Sequence, residues 1–150
     1  MSIQKLQTVI AATPEQVWEA LTARDSSSGY YFGFAAHFDE LSPGASYEYR
    51  LGEASVITGE LRDVVENTRL SMTFRGRWND DVALLPESVV TYELSPAAMG
   101  VPGLTHLTLR HDGLPDTETA RDIERGWALI LSGLKTMLET GSPLVPAPSH

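Results

Sequence analysis

Most of this chain alternates. Apolar side chains recur at every second position through SYEYRL, SVITGELRDVVE, RLSMTFR, ESVVTYELS and THLTLRHD, which together run from residue 46 to residue 112. That period buries one face of a strand and wets the other. A meander of such strands has one large apolar face and nothing of its own to cover it. The one large apolar partner is IERGWALILSGLKTMLE, residues 123–139. At roughly 100° per residue, its Ile123, Trp127, Ile130, Leu131, Leu134, Met137 and Leu138 fall in a single stripe. The expected fold is therefore α+β, a curved antiparallel sheet wrapped around a long C-terminal helix.

The flanking segments carry their own signals. SIQKLQTVIA alternates weakly and suits a first strand. In TPEQVWEALT, Thr13 is placed to cap a helix, Pro14 fits its first position, and Gln16 completes a capping box. ARDSSSG is a polar break. In YYFGFAAHFDEL, Phe32, Phe34, Ala36 and Phe38 share a side if the backbone is extended, and the small residues leave a partial helix open. SPG, residues 42–44, is a turn signal. GRWNDDVALLP and PAAMGVPGL read as irregular separators. The last helix is expected to begin near Thr117 and stop at Gly141. One domain over residues 1–141 follows, with the proline-rich 142–150 as a flexible tail.

Composition removes several kinds of function. The formal charge is −9, and the 11 basic residues are scattered, which disfavours nucleic acid and anionic membrane surfaces. No apolar run approaches the roughly 20 residues of a membrane span. The amino terminus lacks the basic start and apolar core of a secretion signal, so the expected location is cytoplasmic. Cysteine is absent, and His37, His106, His111 and His150 are dispersed. Asp80 and Asp81 lack the spacing of a ligand loop, so neither a metal nor a cofactor is expected. There is no glycine-rich phosphate loop and no serine in a nucleophile elbow. No catalytic signature emerges.

ATPEQVWEALT, SPGASYEYRL, SVITGELRDVVENTRLSMTFR, the pair SVVTYEL and THLTLRHDGLP, and ERGWALILSGLKTMLETG follow one another in a familiar order. That order resembles the SRPBCC superfamily, also called START-like or Bet v 1-like, whose fold is the helix-grip. More narrowly it is similar to the homologues of the activator of heat-shock protein 90 ATPase, a family linked to stress response. The resemblance implies a deep, largely apolar cavity between sheet and last helix, holding lipids, sterols, polyketides or similar small molecules. A minority of the superfamily performs chemistry there. The co-chaperone that gives the family its name carries an asparagine-rich motif on a separate domain. No such motif occurs in this sequence, which counts against a chaperone partner.

The residues expected on that cavity come from every element. Phe32, Phe34, Met72, Phe74, Tyr92, Trp127, Ile130, Leu131 and Leu134 would form its wall, joined by Tyr47 and Tyr49 if Leu51 faces inward. Trp78, in a polar loop, would cover the mouth or pack on the surface. On THLTLRHD, Leu107, Leu109 and His111 share a face. His111, followed by Asp112 and Gly113 as the resemblance implies, is then a ligand-binding group, a weak candidate for a general base, or a satisfied core histidine. Gly126 and Gly133 lie together along the edge of the helical stripe. Each costs a helix about 1 kcal/mol relative to alanine. Either they make room for a ligand or they let the helix pack tightly on its neighbours.

Three functions follow from these residues. The leading one is binding of an apolar or amphipathic small molecule, which Leu134→Trp would block by filling the cavity. The second is a cyclase-like or hydrolase-like enzyme using His111. The third is a co-chaperone-like protein-interaction module or a stress-linked homodimer, for which Leu129 outside the stripe offers an exposed contact.

Overall fold

The computed structural model describes residues 2–23, 26–96 and 100–145. The end of the proline-rich tail, residues 146–150 with His150, lies outside them, as does part of the PAAMGVPGL separator. Strand β1 (Ser2–Ile10) precedes helix α1 (Pro14–Thr22). Strands β2 (Ala35–Phe38), β3 (Ser46–Leu51), β4 (Ala54–Val65) and β5 (Arg69–Gly76) follow. A one-turn helix α2 (Asp80–Ala83) leads to β6 (Ser88–Pro96), β7 (Thr105–Leu114) and the long helix α3 (Glu118–Thr140). All seven strands form one antiparallel sheet in the order β1-β7-β6-β5-β4-β3-β2. The six-strand meander thus runs in chain order, and β1 extends it beyond β7.

The helix ends are as the sequence reads. Thr13 Oγ1 accepts from the Gln16 amide at 3.2 Å, and the Gln16 side chain accepts from the Thr13 amide at 2.8 Å. Thr117 caps α3, and Gly141 ends it at φ 80°, in the left-handed region. Three contacts tie α3 to the β1 side: Gln4 Nε2 donates to Ala120 O, Lys135 Nζ to Val9 O, and the Ala11 amide to Glu139 Oε2.

The sheet must bend to reach the helix, and Gly59 in β4 lets it. The β4–β5 register shifts between Leu61 and Asp63, and a Cβ at Gly59 would collide with the Thr73 carbonyl and the Tyr47 ring. Thr73 Oγ1 takes the Glu60 amide at 2.8 Å instead.

Three expectations shift. The polar break holds one turn of 3-10 helix over Ser26–Gly29, anchored by a fully buried Ser27 whose hydroxyl donates to Phe34 O and accepts from the Ala36 amide. The extended run begins only at Ala35, because Phe32 and Gly33 turn the chain with φ 56° and 77°. Phe32 therefore leaves the inward face on which extended backbone would have placed it. Leu51 also points outward, beyond a register shift between Tyr49 and Arg50, while Tyr47 and Tyr49 stay inside.

Candidate functional site

Packing beneath α3 is uneven along its length. Under the β2–β3 end of the sheet the interior is filled by aromatic rings. Tyr31 lies on Tyr49 with centroids 4.6 Å apart, Tyr47 meets Tyr49 edge-on at 5.9 Å, and Phe38 stacks on Tyr47 at 5.8 Å. Met72, Leu131 and Leu134 are buried in the same core. Burial pushes the phenol pKa of Tyr47, Tyr49 and Tyr92 up, so all three stay neutral. The Tyr47 hydroxyl is satisfied by the Thr73 carbonyl.

Toward the start of α3 the packing opens. A cleft of about 320 Å³ lies between the first half of α3, the end of β5 with the loop into α2, and the turn before β2. Ile123, Gly126, Trp127 and Ile130 supply one wall, and Phe74 with Val82 the opposite one. Tyr31 and Phe34 close the side, while Phe32 and Trp78 stand half-exposed at the mouth. Polar groups gather on the rim: Asn79 and Asp81 from the α2 turn, Thr119 and Asp122 from α3.

Six of the residues expected on the cavity meet here: Phe32, Phe34, Phe74, Trp78, Trp127 and Ile130. The other seven do not line the cleft. Tyr47, Tyr49, Met72, Tyr92, His111, Leu131 and Leu134 are buried away from it, where Tyr47 and Tyr49 pack ring against ring with each other and Tyr49 with Tyr31.

His111 is wholly buried and fully engaged. Trp127 Nε1 donates to its Nδ1 at 2.9 Å, which leaves Nε2 carrying the proton and facing Ser88 Oγ at 2.7 Å. Ser88 in turn points at the Phe74 carbonyl at 3.4 Å. Burial lowers the imidazole pKa to about 3. Both nitrogens are held and the ring stays neutral, so His111 fixes the Trp127 indole at the back of the cleft and offers no free lone pair to a substrate. The satisfied-core reading of this histidine is the one the geometry supports.

Sequence reasoning missed four parts of this site. Tyr31 escaped because only the turn at Phe32 and Gly33 brings it inward. Ser88 was legible, since it continues the inward series Val90, Tyr92, Leu94 to the strand end beside His111. Helix α2 also had a signature: Asn79 caps it, accepting from the Val82 amide at 2.8 Å. The rim residues Thr119 and Asp122 gave no signal of their own.

Leu129 lies on the outer side of α3. It borders a second hollow of about 380 Å³ shared with Tyr30, Phe32, Gly133 and Leu144. Among the described residues no helix is long and apolar enough to cross a membrane, and no group of three or more His, Cys, Asp or Glu converges.

A curved sheet gripping one long helix, with an open cleft at the helix's beginning, defines a helix-grip protein. Residues 11–139 match the family described as activator of Hsp90 ATPase homolog 1-like protein, and the chain belongs to it. The fold recurs in protein MLL2253 of Mesorhizobium loti, 26% identical, with a TM-score of 0.75 over 92% of this chain and 97% of that one. It recurs in PFC0360w, an HSP90 activator of Plasmodium falciparum, 18% identical, with a TM-score of 0.73 over 95% and 99%. A third similar structure is the Aha1 dimer of Colwellia psychrerythraea, 18% identical, with a TM-score of 0.71 over 94% and 98%. No curated protein matches by sequence.

Proposed function

We propose that this protein binds the apolar part of a small molecule in the cleft walled by Ile123, Trp127, Ile130 and Phe74. The observation that carries the reading is the cleft itself, about 320 Å³ of space bordered by aromatic and aliphatic side chains, beside a buried apolar core. That volume is at the small end of ligand pockets. Apolar burial at about 25 cal/mol per Å² would supply most of the affinity, and Asn79 and Thr119 offer hydrogen bonds at the rim. Binding is favoured over cyclase-like or hydrolase-like chemistry because His111, the candidate base, has both nitrogens engaged away from the cleft.

The blocking substitution moves with the site. Leu134 is fully buried in the core, so Leu134→Trp would overpack the fold rather than fill the cleft. Ile130→Trp is the better plug, since Ile130 lines the opening. N-phenyl-1-naphthylamine, a neutral apolar fluorophore, is expected to bind the native protein and to bind Ile130→Trp about tenfold more weakly. Undiminished affinity in a folded Ile130→Trp protein would overturn the placement.

A further inference from the structure

The charge on the mouth of this cleft is one-sided. Among its described lining residues there is no lysine, arginine or histidine, while Asp81 and Asp122 both stand on the rim. Asp122 is shared with Arg125, whose Nη1 lies 2.5 Å away on the exposed side of α3 and which does not border the opening. Asp81 has no ion-pair or hydrogen-bond partner among the described residues. Behind these carboxylates the walls are largely aromatic. Trp127, Trp78, Phe34 and Tyr31 present π systems to the space, with Phe34 and Trp78 centroids 6.4 Å apart and Tyr31 and Trp127 5.7 Å apart.

These features favour one kind of head group. A carboxylate, sulfate or phosphate entering here would face two like charges and an aromatic wall, with no cation among the described lining residues to meet it. An ammonium would meet the reverse, since ring faces attract cations and the attraction grows as water is excluded. Carboxylates at the mouth add a Coulombic term of the same sign. We propose that the cleft selects cationic amphiphiles, with the apolar body lying on Trp127, Phe74 and Ile130 and a quaternary or protonated amine held between Trp78 and Asp81. This rests on the binding reading above and adds the chemical class of the ligand.

The test uses three probes with one decyl chain: decyltrimethylammonium, decanol and decanoate, titrated below micelle formation at neutral pH. The trimethylammonium carries its charge at every pH, so only the head group differs. The expected order of affinity is cation, then alcohol, then anion, with cation and anion separated by about tenfold or more. Raising the salt should narrow that separation, because the rim is solvent-exposed. In Asp81→Asn, and further in the pair Asp81→Asn with Asp122→Asn, the cation-to-anion ratio should fall toward one. The second change also leaves Arg125 with Glu118 alone as its carboxylate, which pushes the ratio in the same direction. Both aspartates are exposed, so the variants are expected to fold. Equal affinity for the three probes, or a preference for decanoate, overturns the charge selection and leaves the cleft a plain apolar binder. If none of the three binds, the binding reading itself fails.

Discussion

The two halves of α3 carry one continuous apolar stripe but do different work. Around Leu131 and Leu134 the stripe is sealed: Leu134 has no exposure at all, and Gly133 lies against the backbone of the turn at Tyr30. From Ile123 to Ile130 the same stripe looks onto open space, and Gly126 faces only the ring of Phe32. Nothing in the helix itself separates the halves. The difference comes from what stands opposite: the Gly29–Tyr30 turn and the end of β1 against the second half, but a short helix and a left-handed turn at the beginning. A helix face therefore becomes a binding wall only where its partner elements fall short of it.

Truncation should expose that contrast most strongly. Leu134→Ala removes atoms packed on every side and is expected to cost about 2–5 kcal/mol, read by urea denaturation. Ile130→Ala removes atoms that face the cleft on one side and so have fewer contacts to lose, with an expected cost of roughly half as much. Equal costs at the two positions would mean that the cleft wall is packed as tightly as the core.

His111 gives the next effect, and it is a function of pH. Its folded pKa, about 3, lies below the ordinary 6.5 because burial disfavours the charged ring. Above pH 6.5 the imidazole is neutral in both folded and unfolded chains, and its contribution to stability is fully present. As the pH falls below that value the unfolded chain gains a proton that the folded one refuses, so stability is lost progressively until the folded pKa is reached. Between about pH 7.5 and about pH 5 the expected loss is roughly 2 kcal/mol. Denaturation of the native protein and of His111→Gln at both pH values isolates it, because the variant lacks this titration. A pH dependence of the same size in His111→Gln would show that other groups carry it.

The fold was legible because its signals are periodic and local. Strand alternation, the capping box at Thr13 and the stop at Gly141 each report on a few neighbouring residues, and the unpaired apolar face of the meander demanded the last helix. The site was half legible for the opposite reason. Whether Tyr49 or Leu134 borders a void depends on how far rings from distant elements reach, and periodicity carries no such length. Phe32 shows the limit most clearly. Its inward placement assumed extended backbone, and two successive left-handed residues, Phe32 itself and Gly33, move it to the cleft mouth.

The smallest effect decides between the two readings of the paired glycines, which the structure assigns one to each. A methyl at Gly126 would meet the Phe32 ring at 3.6 and 3.7 Å, ordinary contact with a half-exposed side chain. Gly126→Ala should therefore realise most of alanine's helical advantage, up to about 1 kcal/mol, and raise the melting temperature by about 2–4 °C. At Gly133 a methyl would lie 3.3 Å from both the Cβ and the carbonyl oxygen of Tyr30. That oxygen belongs to a turn whose tyrosine is itself held by a hydrogen bond to Ala20 O at 2.7 Å, so the turn has little freedom to retreat. Gly133→Ala should then gain nothing or lose stability, and calorimetry of the two variants side by side reads the difference. If both substitutions stabilise equally, close approach to the turn does not explain the second glycine, and the contrast between the halves of α3 rests on the cleft alone.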